Sequence, residues 1–277
     1  MSSTPGVARS SDRRAVGRLQ SRAYLALLLL AFGLWLSLVP SGLLGKADAI
    51  AYAVCHRIDL RSFHLGDRAL PLCARCTGMY CGALLSLFYY AGRGRNRSAS
   101  FPRWPLLIPL GLFAAAWAVD GLNSYLQLLP GLPYLYPASN PLRLVTGTLM
   151  GLTLGTLVYT GFNQTAWHEA IPEPALRSAS DLGLLLLLAG LVDGGVLSEN
   201  PLLLYPLALV SSFGVLLLLT LIYAMVLMML LRRENAGHVW ADLLSPLAGG
   251  ATLAIAQIAA LDWARLALTG TWAGFSL

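Results

Sequence analysis

The chain has 277 residues, of which 57% are apolar and only 12% are charged. A soluble domain carries about twice that share of charged residues, and a soluble fold of this length would not bury so much apolar side chain. The composition therefore excludes a soluble globular protein, a coiled coil and a disordered chain, and it predicts a membrane protein in contact with the lipid bilayer. The net charge of +6 comes from short arginine clusters, so we expect no nucleic-acid partner.

Seven apolar segments are long enough to cross about 30 Å of hydrocarbon as helices. They lie near residues 23–39, 73–91, 106–122, 142–162, 182–197, 203–231 and 243–268. No strand-like alternation is present, and the backbone groups of a chain in lipid must be satisfied within helices. We predict an all-α, polytopic integral membrane protein with about seven transmembrane helices, of which the fifth is the shortest.

The segments divide the chain into three regions. Residues 1–22 are predicted to be a basic, disordered cytoplasmic tail. Residues 23–162 hold the first four transmembrane helices and an outer loop at 40–72, and residues 163–277 hold the last three. The arginines, the first apolar run and the small residues Ala47 and Ala49 also resemble a cleaved signal peptide. The apolar run is long for a cleaved segment, so we interpret it as a retained helix.

The basic residues predict the orientation. Most of the Lys and Arg residues fall in the N-terminal tail and in the connections on the same side of the membrane. The positive-inside rule then places the N-terminus in the cytoplasm. The first outer loop breaks this rule with Arg57, Arg61, Arg68 and Arg75. We therefore expect these arginines to serve a purpose other than topology, such as binding lipid headgroups or an anionic ligand.

All four cysteines lie between Cys55 and Cys81, together with His56 and His64. Cys73 and Cys76 follow Pro71 at the start of the second apolar segment, where their spacing places both sulfurs on one helical face. The partial positive charge of the helix N-terminus, with Arg75 adjacent, favours thiolate over thiol. Thiolate is the form that binds metals and attacks disulfides.

Three interpretations of this segment are open. In the first and favoured one, Cys55, Cys73, Cys76 and His56 hold a metal ion, most simply zinc, with His64 as the substitute ligand. In the second, Cys73 and Cys76 are the redox pair of a thiol oxidoreductase that passes electrons to a quinone. In the third, the cysteines form a structural disulfide. Whether the protein is an enzyme is left open by these alternatives.

Ionisable residues inside apolar segments are costly and are therefore functional candidates. Asp120, Asp193 and Asp262 all lie toward the outward ends of predicted spans, on the same side as the cysteines. Arg143 opens the fourth span and is placed to neutralise one of them. These carboxylates support a further alternative, a transporter or channel for small solutes or ions. No glycine-rich phosphate loop is visible, so no nucleotide cofactor is expected.

The quoted residues resemble a known family. Cys55-His56, Arg61-Ser62-Phe63 and the run PLCARCTGMYCG from Pro71 to Gly82 closely resemble an uncharacterised bacterial membrane family, domain of unknown function 2085. A second block of that family resembles Asp120-Gly121 and Leu142-Arg143. The resemblance covers about residues 51–155 and implies a multi-pass protein of the bacterial inner membrane. It implies no activity, and it leaves open that the protein is a subunit of a membrane complex or a homo-oligomer. It groups Cys55, His56, Arg61, Cys73, Arg75, Cys76, Asp120 and Arg143.

Overall fold

The computed structural model describes residues 23–129 and 131–274, so the predicted N-terminal tail lies outside the described residues. Within them the chain forms eight α-helices. They are α1 (Ala23–Leu38), α2 (Gly42–Val54), α3 (Ala74–Gly92), α4 (Trp104–Leu126), α5 (Asn140–Ala166), α6 (Ala179–Leu197), α7 (Pro201–Leu230) and α8 (Trp240–Thr269). Each of the seven predicted apolar segments is a helix, which confirms the all-α fold class.

The segment predicted as an outer loop contains a helix that the sequence analysis missed. Helix α2 follows α1 after a break at Pro40, and the two helix axes differ in direction by 106°. Pro40 has no backbone N–H to continue α1, and Gly42 adopts the positive φ of +78° that the turn requires. The Lys46 ammonium donates to the carbonyls of Leu36 and Val39, which lost their helical partners at the break.

By length and apolar composition, five of the described helices can cross a membrane, α4 to α8, or six if α1 and α2 are taken as one broken span. The sequence predicted seven. Helix α3 is one of the predicted spans that are not counted here. It carries polar residues and glycines, so its mean hydropathy is lower than that of a typical membrane-spanning helix. It packs against α5, α6 and α7, so much of its surface faces protein rather than lipid. Burial among other helices removes the need for an apolar surface.

Helices α3 and α5 run parallel in close contact. The glycines of α5 meet α3 in order along the chain: Gly147 faces the backbone of Arg75, Gly151 that of Met79, and Gly155 that of Ala83. A Cβ atom added at Gly155 would lie 2.6 Å from the Ala83 carbonyl oxygen, which is closer than atoms can pack. The stripe predicted from the spacing of these glycines is therefore a contact between helix backbones.

The connections between helices separate into two ends. Strands β3 (Ser98–Ser100) and β4 (Ile171–Pro174) pair in parallel and join the α3–α4 connection to the α5–α6 connection. Trp167, which ends α5, pairs with Gly237 before α8 at this same end. The hairpin of β1 (His64–Leu65) and β2 (Arg68–Ala69) belongs to the opposite end, where Asn140 donates to the carbonyl of Ser62 at 3.2 Å. The cysteine segment thus lies at the end opposite the arginine-rich connections.

The close approach of α3 and α5 leads to a prediction of stability. Gly147→Ala places a methyl group against the Arg75 backbone, so the two helices must separate at the level of the cysteines. We expect a loss of about 1–3 kcal/mol, the usual cost of overpacking. The measurement is thermal unfolding of the detergent-solubilised protein.

Gly183→Ala in α6 is the matched control for this substitution. A Cβ atom at Gly183 meets nothing within 4 Å, and alanine is the better helix former. The control should unfold at the same temperature as the unsubstituted protein or slightly higher. Equal unfolding temperatures for both variants would contradict a tight α3–α5 contact.

Candidate metal centre

Three cysteines that are separated in the sequence lie close together in the structure. Cys55 directly follows α2, Cys73 is the N-cap of α3, and Cys76 lies in the first turn of α3. Their three sulfur atoms lie within 4.8 Å of one another. The predicted meeting of the loop cysteine with the Cys73–Cys76 pair is therefore present in the structure.

Hydrogen bonds to Cys55 and to the end of α2 hold Cys55 beside the start of α3. The backbone N–H of Cys73 donates to the sulfur of Cys55 at 3.4 Å. The guanidinium of Arg265 in α8 donates to the carbonyls of Tyr52 at 2.7 Å and Cys55 at 2.6 Å, and it stacks on the Tyr52 ring. These contacts fix the backbone that carries Cys55.

The sulfurs are largely shielded from water. Cys55 and Cys73 are buried, Cys76 is partly exposed, and all are free thiols. Hydrogen bonds donated by the Cys73 and Cys76 thiols hold the pKa of Cys55 well below its ordinary range. The bond that Cys73 donates to Cys55 raises its own pKa to about 12. One sulfur is therefore ready to ionise, although it is Cys55 rather than the predicted helix-terminal pair.

The two predicted histidine ligands lie outside this group of sulfurs. His56 follows Cys55 directly, and its Nδ1 atom accepts a hydrogen bond from the Ile58 N–H at 3.1 Å. Burial lowers the pKa of His56, so the neutral, ligand-competent ring is favoured. His64 instead pairs with exposed Asp59 at 3.0 Å. Of the two histidines, only His56 is adjacent to a cysteine in the sequence.

A second cluster beside the sulfurs consists of three arginines and one aspartate. Arg75 binds Asp120, with its Nε 3.2 Å from the carboxylate. Arg143 and Arg75 both donate to the Ser124 hydroxyl, at 3.3 and 2.9 Å, and Arg61 donates to the Ser124 carbonyl at 2.8 Å. We call Arg61, Arg75, Arg143 and Asp120 the arginine cluster. Arg75 thus pairs with a carboxylate. The sequence analysis had instead predicted that Arg75 favours the thiolate form of the cysteines.

The other two predicted aspartates lie elsewhere. Asp193 accepts a hydrogen bond from Thr148 of α5 at 2.6 Å. Asp262 accepts one from the Trp35 indole at 3.3 Å, in the contact between α8 and α1. Thr146, which approaches Asp120 at 3.4 Å, lies close to Thr148 along α5. Asp120 and Asp193 therefore share a depth, and each of the three carboxylates lies in a different helix contact.

The sequence analysis missed Ser124 and Tyr136 of this region. Ser124 joins the three arginines, and the Tyr136 hydroxyl donates to Asp120 at 3.1 Å. Asn123 holds the α4–α5 connection by donating to the Tyr136 carbonyl and accepting from the Leu135 N–H. The only available sequence signal was the position of Ser124 one helical turn after Asp120. Hydroxyl and amide residues in an apolar helix seldom reveal their partners.

Comparison with known proteins supports the resemblance predicted from the cysteine motifs. Residues 55–157 match the family described as "Predicted membrane protein (DUF2085)". An uncharacterized protein of the archaeon Methanocaldococcus jannaschii is 30% identical over 107 residues, which span 38% of this chain and 62% of that protein. The chain therefore covers less than two thirds of the length of this relative. No solved structure matches the chain. The matched segment contains every residue of the cysteine group and of the arginine cluster.

Proposed function

We propose that this membrane protein binds one zinc ion through Cys55, Cys73 and Cys76. The observation that carries the proposal is the convergence of three sulfurs, from two separate structural elements, to within 4.8 Å of one another. Zinc binds thiolate sulfur at about 2.3 Å. Small side-chain rotations are enough to bring all three sulfurs to that distance from a common point.

The chemistry of the surroundings suits a metal–thiolate centre. The low pKa of Cys55 supplies a first thiolate, and a bound cation would favour ionisation of the other two sulfurs. Burial of Cys55 and Cys73 limits competition from water. When bound, zinc supplies a fixed positive charge and a Lewis-acidic position. The protein side chains hold the ion, exclude solvent and orient the fourth ligand.

The fourth ligand distinguishes a closed structural site from an open one. His56 is our proposed ligand. Its Nδ1 accepts a hydrogen bond from the Ile58 N–H, so the neutral ring carries its proton on Nε2, and binding of zinc through either nitrogen requires this hydrogen bond to break. If His56 does not bind, water takes that position, as in catalytic zinc sites with three protein ligands. By the positive-inside rule we place this centre on the extracytoplasmic side.

A second candidate function is thiol oxidation coupled to a quinone. An apolar cavity of about 380 Å³ lies between α1 and α8, lined by Trp35, Ile255 and Asp262 among others. Trp35 and Ile255 belong to the same packed core as Cys55 and Cys73. In this function Cys73 and Cys76 form a disulfide and release two protons and two electrons, which reduce the quinone to a quinol.

Two measurements on one purified sample distinguish zinc binding from thiol oxidation. Elemental analysis is combined with counting of reactive thiols, before and after treatment with a strong chelator and with a quinone analogue. Zinc binding predicts about one ion per chain, with three thiols that become reactive only after chelation. A metal-free protein whose Cys73–Cys76 pair oxidises with the quinone analogue would contradict zinc binding and support the redox function. A metal-free protein with inert thiols would contradict both.

A further inference from the structure

The arginine cluster carries more positive charge than the described residues neutralise. The cluster holds three guanidinium groups but one carboxylate, that of Asp120, which Arg75 binds, and Arg61 and Arg143 are only 9% and 7% exposed. Burial and the positive charge of Arg75 lower the pKa of Arg61. An arginine side chain nevertheless stays charged at neutral pH. Like charges that are held together and largely buried are stabilised by a counter-charge.

The neighbouring sulfurs do not remove this excess. A zinc ion with three thiolates carries one net negative charge, and Asp120 carries another. Against three arginines, one positive charge still remains with zinc bound. The excess is therefore independent of the proposed metal centre.

The N–H groups of Arg61 and Arg143 that make no hydrogen bond also support a ligand site here. Arg61 donates through Nη2 alone, and Arg143 through Nε and Nη1. Within the described residues, no acceptor meets Nε and Nη1 of Arg61 or Nη2 of Arg143, and none of these atoms is sealed from solvent. The guanidinium groups thus keep charged N–H donors available to a ligand.

We propose that Arg61, Arg75 and Arg143 bind a phosphate group beside the cysteine centre. Arginine presents planar pairs of N–H donors that match the oxygen spacing of phosphate. The cluster joins the outer loop to the ends of α3, α4 and α5, a level at which both a free anion and a lipid headgroup have access. The shared ligand chemistry is therefore a phosphate mono- or diester, either free or on a lipid.

The experiment uses the full chain and has two arms. Equilibrium dialysis measures radiolabelled inorganic phosphate bound to the detergent-solubilised protein. Native mass spectrometry measures retention of phosphatidic acid and phosphatidylglycerol relative to phosphatidylcholine. Arg61→Gln and Arg143→Gln are each expected to weaken binding by about tenfold or more, the effect of losing a charged hydrogen bond.

Arg68→Gln is the matched control, because Arg68 lies in the same outer loop but binds Asp48, and its side chain is 47% exposed. It removes the same charge and should change binding by less than about twofold, as a screened surface charge does. Zinc content is measured on the same samples and should stay unchanged in all three variants. An unsubstituted protein that binds phosphate but contains no zinc would count against the metal centre alone.

If Arg61→Gln and Arg143→Gln do not fold, the unsubstituted protein still tests the proposal. Phosphate or an anionic phospholipid should then raise its unfolding temperature in a saturable manner, whereas chloride at equal ionic strength should not. Saturable inorganic phosphate binding identifies a free anion, and selective lipid retention identifies a headgroup. Absence of both, or equal weakening by Arg68→Gln, overturns the proposal.

Discussion

Cys73→Ser is expected to reduce bound zinc from about one ion per chain to less than one tenth of that value. A serine hydroxyl does not ionise at neutral pH and is a poor zinc ligand, so two sulfurs would remain at the centre. Cys73 also joins the sulfurs physically, because its backbone N–H and its thiol both donate to Cys55. The measurement is elemental analysis of the purified protein after exhaustive dialysis.

Cys81→Ser is the control for this experiment. Cys81 lies in the same helix and is also buried and free, but it is not part of the three-sulfur group. We expect it to keep its zinc. Equal zinc loss in both variants would indicate a general folding defect, and full zinc in Cys73→Ser would reject the centre.

His56→Ala tests the fourth ligand within the same series. If the His56 ring binds, the variant should lose zinc about 10- to 100-fold more readily to a competing chelator, as expected when a supporting group at a metal site is removed. If its affinity is unchanged, water occupies the fourth position. Either result leaves the three-cysteine centre intact.

Asp120→Ala is expected to destabilise the protein more than any surface substitution. The Asp120 side chain is 1% exposed and pairs with Arg75, which is 16% exposed. Its removal leaves three arginines with no carboxylate, and breaking a buried ion pair in this way costs about 3–5 kcal/mol. That loss is a large part of the total stability of about 5–15 kcal/mol that is typical of a folded protein.

The effect of Asp120→Ala is measured by thermal unfolding in detergent, with Asp59→Ala as the control. Asp59 pairs with His64, but its side chain is 75% exposed, and such surface pairs contribute about 0–1 kcal/mol. We expect a fall of several degrees or loss of folded protein for Asp120→Ala, and almost no change for Asp59→Ala. Similar unfolding temperatures for the two variants would show that the buried arginines are neutralised by another group.

The local chemistry and seven of the eight helices in the described residues were accessible from the sequence. Apolar runs long enough to cross a bilayer predict helices because lipid offers no partner for backbone N–H and C=O groups. The glycine spacing of α5 predicted close packing, and the motif around Cys73 and Cys76 predicted both the family and the gathering of sulfurs. These features depend on residues near one another in the chain or on one helical face.

Only the tertiary structure decided which distant groups meet. In the structure, Arg75 binds the carboxylate of Asp120. The carboxylates of Asp120, Asp193 and Asp262 lie in separate helix contacts. The tertiary structure also surrounds α3 with other helices, a burial that the hydropathy of this segment does not reveal. Apolar pattern fixes where a helix forms, but the rotation of each helix and its neighbours follow from side-chain packing across the whole bundle.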